Sequence, residues 1–115
     1  MPFDFEAYAR ALEAKDVDAL LAFYAEDAVW VEYKPGAPPS APARMEGRAE
    51  IAAFLRGVAA DDDVTLAVSH EVVGDDRIAF RITVGLAGGR RDVEHAICEL
   101  RDGVIVEQVE VEAWD

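Results

Sequence analysis

The sequence predicts an α+β fold in which helices pack on one face of a curved antiparallel sheet. Three helical segments and one strand fill residues 5–60, and four strands joined by short turns fill residues 64–114. Helices grouped before an antiparallel meander are typical of this class. The chain has 115 residues, which suits a single domain over residues 1–115.

The first helix is predicted over residues 5–14, with Asp4 as its N-cap. Phe5, Tyr8 and Leu12 recur at helical spacing and predict one buried face. A second helix is predicted to begin at Asp16 and to continue its apolar pattern to Tyr24.

The third helix is the most regular, because the segment GRAEIAAFLRGVAA places four apolar residues on one stripe: Ile51, Phe54, Leu55 and Val58. Residues 35–47 contain four of the five prolines and predict a loop. Because this loop follows the strand that contains Glu32, we expect it to border a pocket and to be mobile.

Branched and aromatic residues predict a strand that begins at Ala28. Alternation predicts strands at 64–73 and 77–86, and turn signals at GDD, AGGR and RDG separate these from strands at 91–101 and 104–114. If the sheet curls around the third helix, a pocket remains at its open end.

Composition excludes several classes of function. The chain has 24 acidic and 11 basic side chains and a net charge of -13, so we expect it not to bind nucleic acid. No segment predicts a signal peptide or a membrane span, and the one cysteine cannot form an intrachain disulfide. A cytoplasmic protein that does not bind membranes is the expectation.

Glu32 is the most informative residue, since alternation places its carboxylate on the same face as Trp30. One interpretation is that Glu32 lies at a solvent-exposed end of the strand. The other is a carboxylate held in an apolar pocket, where desolvation raises its pKa and suits it to proton transfer.

Other polar residues on the strands also have two interpretations. His70 lies on an apolar face between Val68 and Val72, either as a hydrogen-bonded core residue or as part of a pocket. Glu110 and Glu112 either face solvent or line the pocket mouth near Trp114, where they would favour a cationic or hydroxyl-rich ligand.

Neither a metal nor a cofactor is predicted. The HEVV and VEHA segments place histidine next to glutamate, but neighbouring residues of a strand point to opposite faces. No pair has the spacing of a metal site, and the chain lacks a nucleophile elbow, a phosphate loop and a dinucleotide fingerprint.

Three segments in this order, DVDALLAFYAEDAVWVEYKPG, EGRAEIAAFLRG and LRDGVIVEQVEV, resemble the NTF2-like superfamily, and most closely its SnoaL-like and ketosteroid-isomerase-like branch. The resemblance implies a cone in which the sheet wraps around a long helix and the N-terminal helices close a pocket. It also implies that Glu32 is a base and Tyr8 an oxyanion donor. The third acidic position of that family falls on Ala96 or His95, neither of which is an acid.

Together these observations predict an enzyme that transfers protons, by isomerisation or cyclisation, on a small apolar carbonyl compound. Glu32 and Tyr8 would be catalytic, and the ligand would contact Trp30, His70, His95, Glu110, Glu112 and Trp114. The alternative is a non-catalytic binding or dimerising module.

A homodimer is also predicted. Its interface would be the sheet face opposite the helices, which exposes Ala79, Thr83, Val93 and Ile97.

Overall fold

The computed structural model describes residues 2–115. In this part of the chain it has three α-helices, six strands and one 3-10 turn. In chain order these are α1 (Phe5–Glu13), α2 (Val17–Leu21), β1 (Tyr24–Tyr33), β2 (Ala43–Glu46), α3 (Arg48–Ala60), β3 (Thr65–Val73), β4 (Arg77–Gly85), the turn Ala87–Gly89, β5 (Arg91–Arg101) and β6 (Val104–Trp114).

The strands form one curved, unclosed sheet in the order β2-β1-β6-β5-β4-β3. The predicted α+β cone is confirmed, with one correction: the sheet is mixed, because β1 pairs parallel with β6 while every other pair is antiparallel. The chain enters β1 from the helices rather than from a hairpin, so its direction is not constrained to alternate. This pairing brings the Glu32 strand beside the last strand of the meander.

The predicted N-cap Asp4 is present, and Asp16, where the second helix was predicted to begin, is the N-cap of α2. The Asp4 carboxylate accepts a hydrogen bond from the backbone N–H of Ala7 at 3.0 Å, and the Asp16 carboxylate accepts one from Ala19 at 3.2 Å. Each satisfies a backbone donor that the first helical turn leaves free. Helix α2 nevertheless ends at Leu21, because Tyr24 already pairs with Ile105 of β6 and begins β1. The prediction that β1 begins at Ala28 was therefore four residues late.

The segment after β1 differs from the predicted loop. Residues 43–46 form β2, which pairs antiparallel with β1 and places Met45 opposite Trp30. None of the residues 35–47 lines the cavity between the helices and the sheet, so the prediction that this segment borders the pocket is wrong. Backbone pairing along the free edge of β1 holds this segment beside the sheet.

The core lies between the helices and the inner face of the sheet, which is the face directed toward α1, α2 and α3. Aromatic rings cluster at its centre, where Tyr8 meets Phe80 and Phe5 edge-on or tilted and Tyr24 stacks on Trp30. Ile51 and Leu55 of α3 are buried against the same cluster. No helix within residues 2–115 combines the length and apolar character needed to cross a membrane.

Candidate active site

A cavity opens between the helices and the inner face of the sheet. It has about 530 Å³ free of protein atoms, including the part open to solvent at its mouth. Its walls are mostly apolar side chains from α1, α2, α3, β3 and β4: Leu12, Val17, Leu20, Phe54, Leu55, Val58, Leu66, Ile82 and Val84. Two carboxyl side chains also line it, Glu32 and Glu94, and Trp30 lies beside them. The cavity is therefore an apolar pocket with acidic groups on the sheet side.

Glu32 is buried as the sequence predicted, with 2% of its surface exposed. The Trp30 indole Nε1 donates to Glu32 Oε2 at 3.2 Å, and Lys34 Nζ donates to Oε1 at 2.8 Å. Trp30 and Glu32 alternate along β1 and project from the same face, and Lys34 follows directly after the end of that strand. Both oxygens of Glu32 thus have donors that hold the carboxylate in one orientation.

Burial raises the pKa of Glu32 above its ordinary value, and the nearby charge of Glu112 raises it further. The hydrogen bond and charge of Lys34 lower that pKa but do not cancel the effect of burial. Burial lowers the pKa of Lys34, but its hydrogen bond to Glu32 and the charges of Glu32, Glu112 and Glu94 together outweigh this effect, so the pKa of Lys34 is raised. The environment of Glu32 therefore favours its neutral form more than solvent does.

Glu32 belongs to a larger acidic cluster, which we define as Glu32, Asp92, Glu94, Glu110 and Glu112. Two overlapping groups, one of Glu32, Glu110 and Glu112 and one of Asp92, Glu94 and Glu112, each have carboxyl oxygens within 4.8 Å of one another. Register explains the grouping: Glu110 pairs with Glu32 on β1 and with Ala96 on β5, and Glu94 pairs with Glu112. Three buried oxygens, Asp92 Oδ1, Glu110 Oε1 and Glu112 Oε2, receive no hydrogen bond from an N–H group or a hydroxyl in residues 2–115.

The raised pKa values of two members explain how these carboxyl groups can lie close together. Burial, with the charge of Glu32, raises the pKa of Glu110 to about 8. Burial and the charge of Glu110 also raise the pKa of Glu94, far above its ordinary range. These shifts favour the neutral form of both groups, and a neutral carboxyl group can donate a hydrogen bond to a neighbouring carboxylate. Oxygens spaced this way would also suit a hard divalent cation, which would have to displace those protons.

A buried hydrogen-bond chain lies beneath the cluster. The hydroxyls of Tyr8 and Tyr24 are 2.8 Å apart, and Tyr24 donates to Gln108 Oε1 at 2.6 Å. Gln108 Nε2 then donates to Glu110 Oε2 at 2.7 Å. Because the Gln108 amide oxygen accepts from Tyr24, its nitrogen faces Glu110 Oε2, so the proton of a neutral Glu110 would lie on Oε1.

Residues 5–108 match the family model of the SnoaL-like domain. The chain belongs to the SnoaL-like domain family. The match spans most of the chain, so the NTF2-like resemblance predicted from three sequence segments is confirmed. Comparison with curated proteins finds no match for this SnoaL-like chain.

Solved structures share the fold of the SnoaL-like chain. An NTF2-like protein of unknown function from Mesorhizobium loti has 21% identity and a TM-score of 0.82, with 95% of this chain and 87% of that chain covered. A protein named provisionally as a ketosteroid isomerase, from Kribbella flavida, has 21% identity and a TM-score of 0.75, with 95% and 74% covered. An NTF2-like protein of unknown function from Burkholderia xenovorans has 22% identity and a TM-score of 0.74, with 95% and 79% covered. At these identities the likeness establishes the fold alone.

The structure separates the two residues predicted to be catalytic. Glu32 lines the cavity of the SnoaL-like chain, whereas Tyr8 is fully buried and is not part of the cavity wall. The Tyr8 hydroxyl lies against Tyr24, with Gln108 Oε1 3.5 Å away. Glu32 and Tyr8 thus do not converge on one point in the cavity. Their connection is indirect, through Gln108 and Glu110.

Glu110 and Glu112 face inward, so their interpretation as a solvated strand face is wrong. They are 0% and 8% exposed, because β6 lies in the middle of the sheet with its inner face under the helices. Trp114 near them is 47% exposed and is not part of the cavity wall, although its Nε1 donates to Glu112 Oε1 at 3.1 Å.

The two histidines lie on the outer face of the sheet, so their predicted place in the pocket is wrong. The pairing of β3 with β4 shifts between Ser69 and Val72, and His70 adopts a positive φ of 58° at this bulge. An extra residue in a strand redirects the side chains that follow it. His95 is exposed because alternation on β5 places it opposite the buried Ala96.

Sequence reasoning missed Lys34, Tyr24, Gln108, Asp92 and Glu94. A signal for Asp92 and Glu94 was present, because β5 alternates and both share a face with Ala96 and the buried Cys98. For Gln108 the sequence signal was weaker. The pairing of β5 with β6 shifts register between Glu99 and Leu100, and this shift interrupts the alternation of buried and exposed residues along β6. The partners of Glu32 across the sheet depend on the parallel pairing, which no local pattern indicates.

Proposed function

We propose that this SnoaL-like protein catalyses cofactor-free proton transfer on a small apolar carbonyl compound, by isomerisation or cyclisation. One observation supports it above the others: Glu32 and Glu94 both line the apolar cavity, and burial raises the pKa of each. A pair of carboxyl groups on one wall supplies a base and an acid without a metal or cofactor.

Glu32 would be the base. As a carboxylate it accepts the proton from the carbon next to the ligand carbonyl, and the electron pair of that C–H bond moves to form an enolate. The raised pKa of Glu32 strengthens it as a base near neutral pH. The hydrogen bond and charge of Lys34 favour the ionised form of Glu32, and Trp30 orients the second oxygen.

Glu94 would stabilise the enolate oxygen. Its pKa is raised mainly by burial, so it is a neutral acid that donates a hydrogen bond to the developing oxyanion. The third acidic position of the resembled family falls on Ala96 or His95, and Glu94 lies two residues before Ala96 on the same face of β5. This assignment replaces the role predicted for Tyr8, whose hydroxyl is occupied by Tyr24.

The reaction would end in one of two ways. In isomerisation, Glu32 returns the proton to a different carbon of the same conjugated system. In cyclisation, the enolate carbon attacks a second carbonyl of the ligand, and the new alkoxide takes up the proton that Glu32 accepted. The apolar walls from α1, α2 and α3 exclude water from either intermediate.

The test is exchange of hydrogen for deuterium next to the carbonyl of cyclic ketones in D2O, followed by proton NMR. Cyclohexanone, 2-tetralone and a 3-ketosteroid cover increasing sizes. We expect exchange above the buffer rate, its loss in Glu32→Gln, and a fall of about 10²-fold or more in Glu94→Ala, as for removal of one oxyanion donor. Glu94→Gln keeps an N–H donor and should retain more activity than Glu94→Ala.

Glu107→Gln is the matched control, since Glu107 lies on β6 but is exposed on the outer face. Equal exchange by Glu32→Gln and wild type would contradict the role of Glu32. A different result would favour the alternative of a non-catalytic binding module: a thermal shift that shows ketone binding, with no hydrogen exchange in wild type or any variant.

A further inference from the structure

The two histidines that the active site does not use meet in a second place. A groove on the outer face of the sheet, which we call the outer groove, is lined by His70, Arg81 and His95, with Ala79 and Ile97 beside them. Register brings the polar residues together, because Arg81 pairs with Ser69 on β3 and with His95 on β5. The row across these strands contains no acidic side chain.

Arg81 has an unusual environment for a chain of net charge -13. Its Nε donates to His95 Nε2 at 2.9 Å, and no carboxylate in residues 2–115 lies within ion-pair distance of it. Arg77, four residues earlier on the same face of β4, is instead paired with Glu99 at 3.5 Å. The guanidinium of Arg81 thus keeps its terminal N–H groups for a further acceptor.

The two imidazoles add donors beside that guanidinium. Because His95 Nε2 accepts from Arg81, its proton lies on Nδ1, which is a donor. His70 reaches the groove only through the bulge at its positive φ of 58°, a conformation that costs free energy for a side chain of this size. Ser69 holds the His70 ring, with Oγ 2.8 Å from Nδ1.

We propose that the outer groove binds an oxyanion, a carboxylate or phosphate group, through the terminal nitrogens of Arg81 with His70 and His95 at its sides. A planar fork of N–H donors matches two oxygens of such a group. The inference goes beyond the proposed function, since the groove lies on the other face of the sheet from the cavity and the two can be tested apart. Because the outer face, with Ala79 and Ile97, is also the predicted dimer interface, the anion has two sources, a free small molecule or a carboxylate of a second copy of this chain.

The first experiment titrates the protein with inorganic phosphate and with citrate, following the side-chain N–H signals of Arg81 and the ring signals of both histidines by NMR. Ionic strength is held constant with sodium chloride, because screening weakens any exposed charge pair. We expect saturable shifts confined to the outer groove. Arg81→Gln should weaken binding about tenfold or more, as for loss of a charge-assisted hydrogen bond.

Arg77→Gln is the matched control, since it removes the same charge from the same strand and face without touching the groove. The second experiment compares both variants by sedimentation velocity at micromolar concentration. Dissociation of a dimer by Arg81→Gln alone would identify the second copy as the source, and weaker binding of phosphate or citrate without dissociation would identify a free anion. If Arg81→Gln and Arg77→Gln behave alike in both experiments, the proposal is overturned.

Discussion

Glu32 and Glu110 lie opposite each other on two parallel strands, and their buried carboxyl oxygens come within 4.8 Å of each other. Two anions at this distance in a poorly solvated place repel strongly, so one of the pair holds a proton. The pKa of Glu110, raised by burial to about 8, makes it the protonated partner near neutral pH. This relationship makes the charge of the site depend on pH.

The first prediction concerns Glu32→Gln. The pKa of Glu32 is higher in the folded than in the unfolded protein. Its contribution to the free energy of unfolding is therefore complete at pH values below the unfolded-state pKa. It is lost as pH rises through the folded-state pKa. Glutamine cannot ionise, so it avoids that loss, and we expect Tm at pH 7 to be unchanged or higher than in wild type. Thermal unfolding at pH 5 and pH 7 measures this, and a lower Tm at pH 7 alone would contradict it.

The second prediction concerns the pH dependence from Glu110. Between its ordinary pKa of 4.5 and its folded value of about 8, folding takes up one proton at this group. The free energy of unfolding should then fall by about 1.4 kcal/mol per pH unit from this residue across that window. In Glu110→Gln this contribution disappears, so the stability of the variant relative to wild type should increase as pH rises from 5.5 to 8.

Urea denaturation at pH 5.5, 7 and 8 measures the difference. Glutamine at position 110 can still accept from Gln108 Nε2, so the hydrogen-bond chain survives. Glu107→Gln on the outer face of the same strand is the control. Parallel pH profiles for wild type and Glu110→Gln would show that Glu110 is already ionised in the folded protein.

The third prediction separates the two buried tyrosines. Tyr24→Phe removes the donor that lies 2.6 Å from Gln108 Oε1, and Tyr8, at 3.5 Å, is too far to replace it fully. An unsatisfied buried oxygen costs about 1–3 kcal/mol. Tyr8→Phe leaves the Tyr24 bond to Gln108 in place and should cost less, about 0.5–1.5 kcal/mol. Denaturation of both variants at one pH tests which substitution lowers the free energy of unfolding more. A larger loss for Tyr8→Phe would contradict the assignment of Tyr24 as the donor to Gln108.

The fourth prediction is a homodimer through the outer face of the sheet. Ile97 is 55% and Val111 59% exposed there, on neighbouring strands. We expect a dimer by light scattering at micromolar concentration, and its dissociation by Ile97→Glu, because a desolvated carboxylate at an apolar interface is costly. Ala53→Glu, at an exposed position of α3, is the control. A wild-type monomer would rule the dimer out.

Much of this molecule follows from local patterns. The predicted bounds of the two C-terminal strands, 91–101 and 104–114, match β5 and β6, and the predicted cap Asp4 bonds its helix. The inward position of Glu32 beside Trp30 also follows from alternation alone. These features depend on residues within a few positions of one another, where backbone geometry sets which side chains share a face.

The remaining features depend on contacts between distant residues. The parallel pairing of β1 with β6 joins residues nearly eighty positions apart, and it alone places Glu110 beside Glu32 and Gln108 beside Trp30. A single bulge in β3 moves His70 from the inner face to the outer one. Alternation within a strand is local, but register and bulges are decided by how the whole sheet packs against the helices, so the partners of Glu32 exist only in the folded chain.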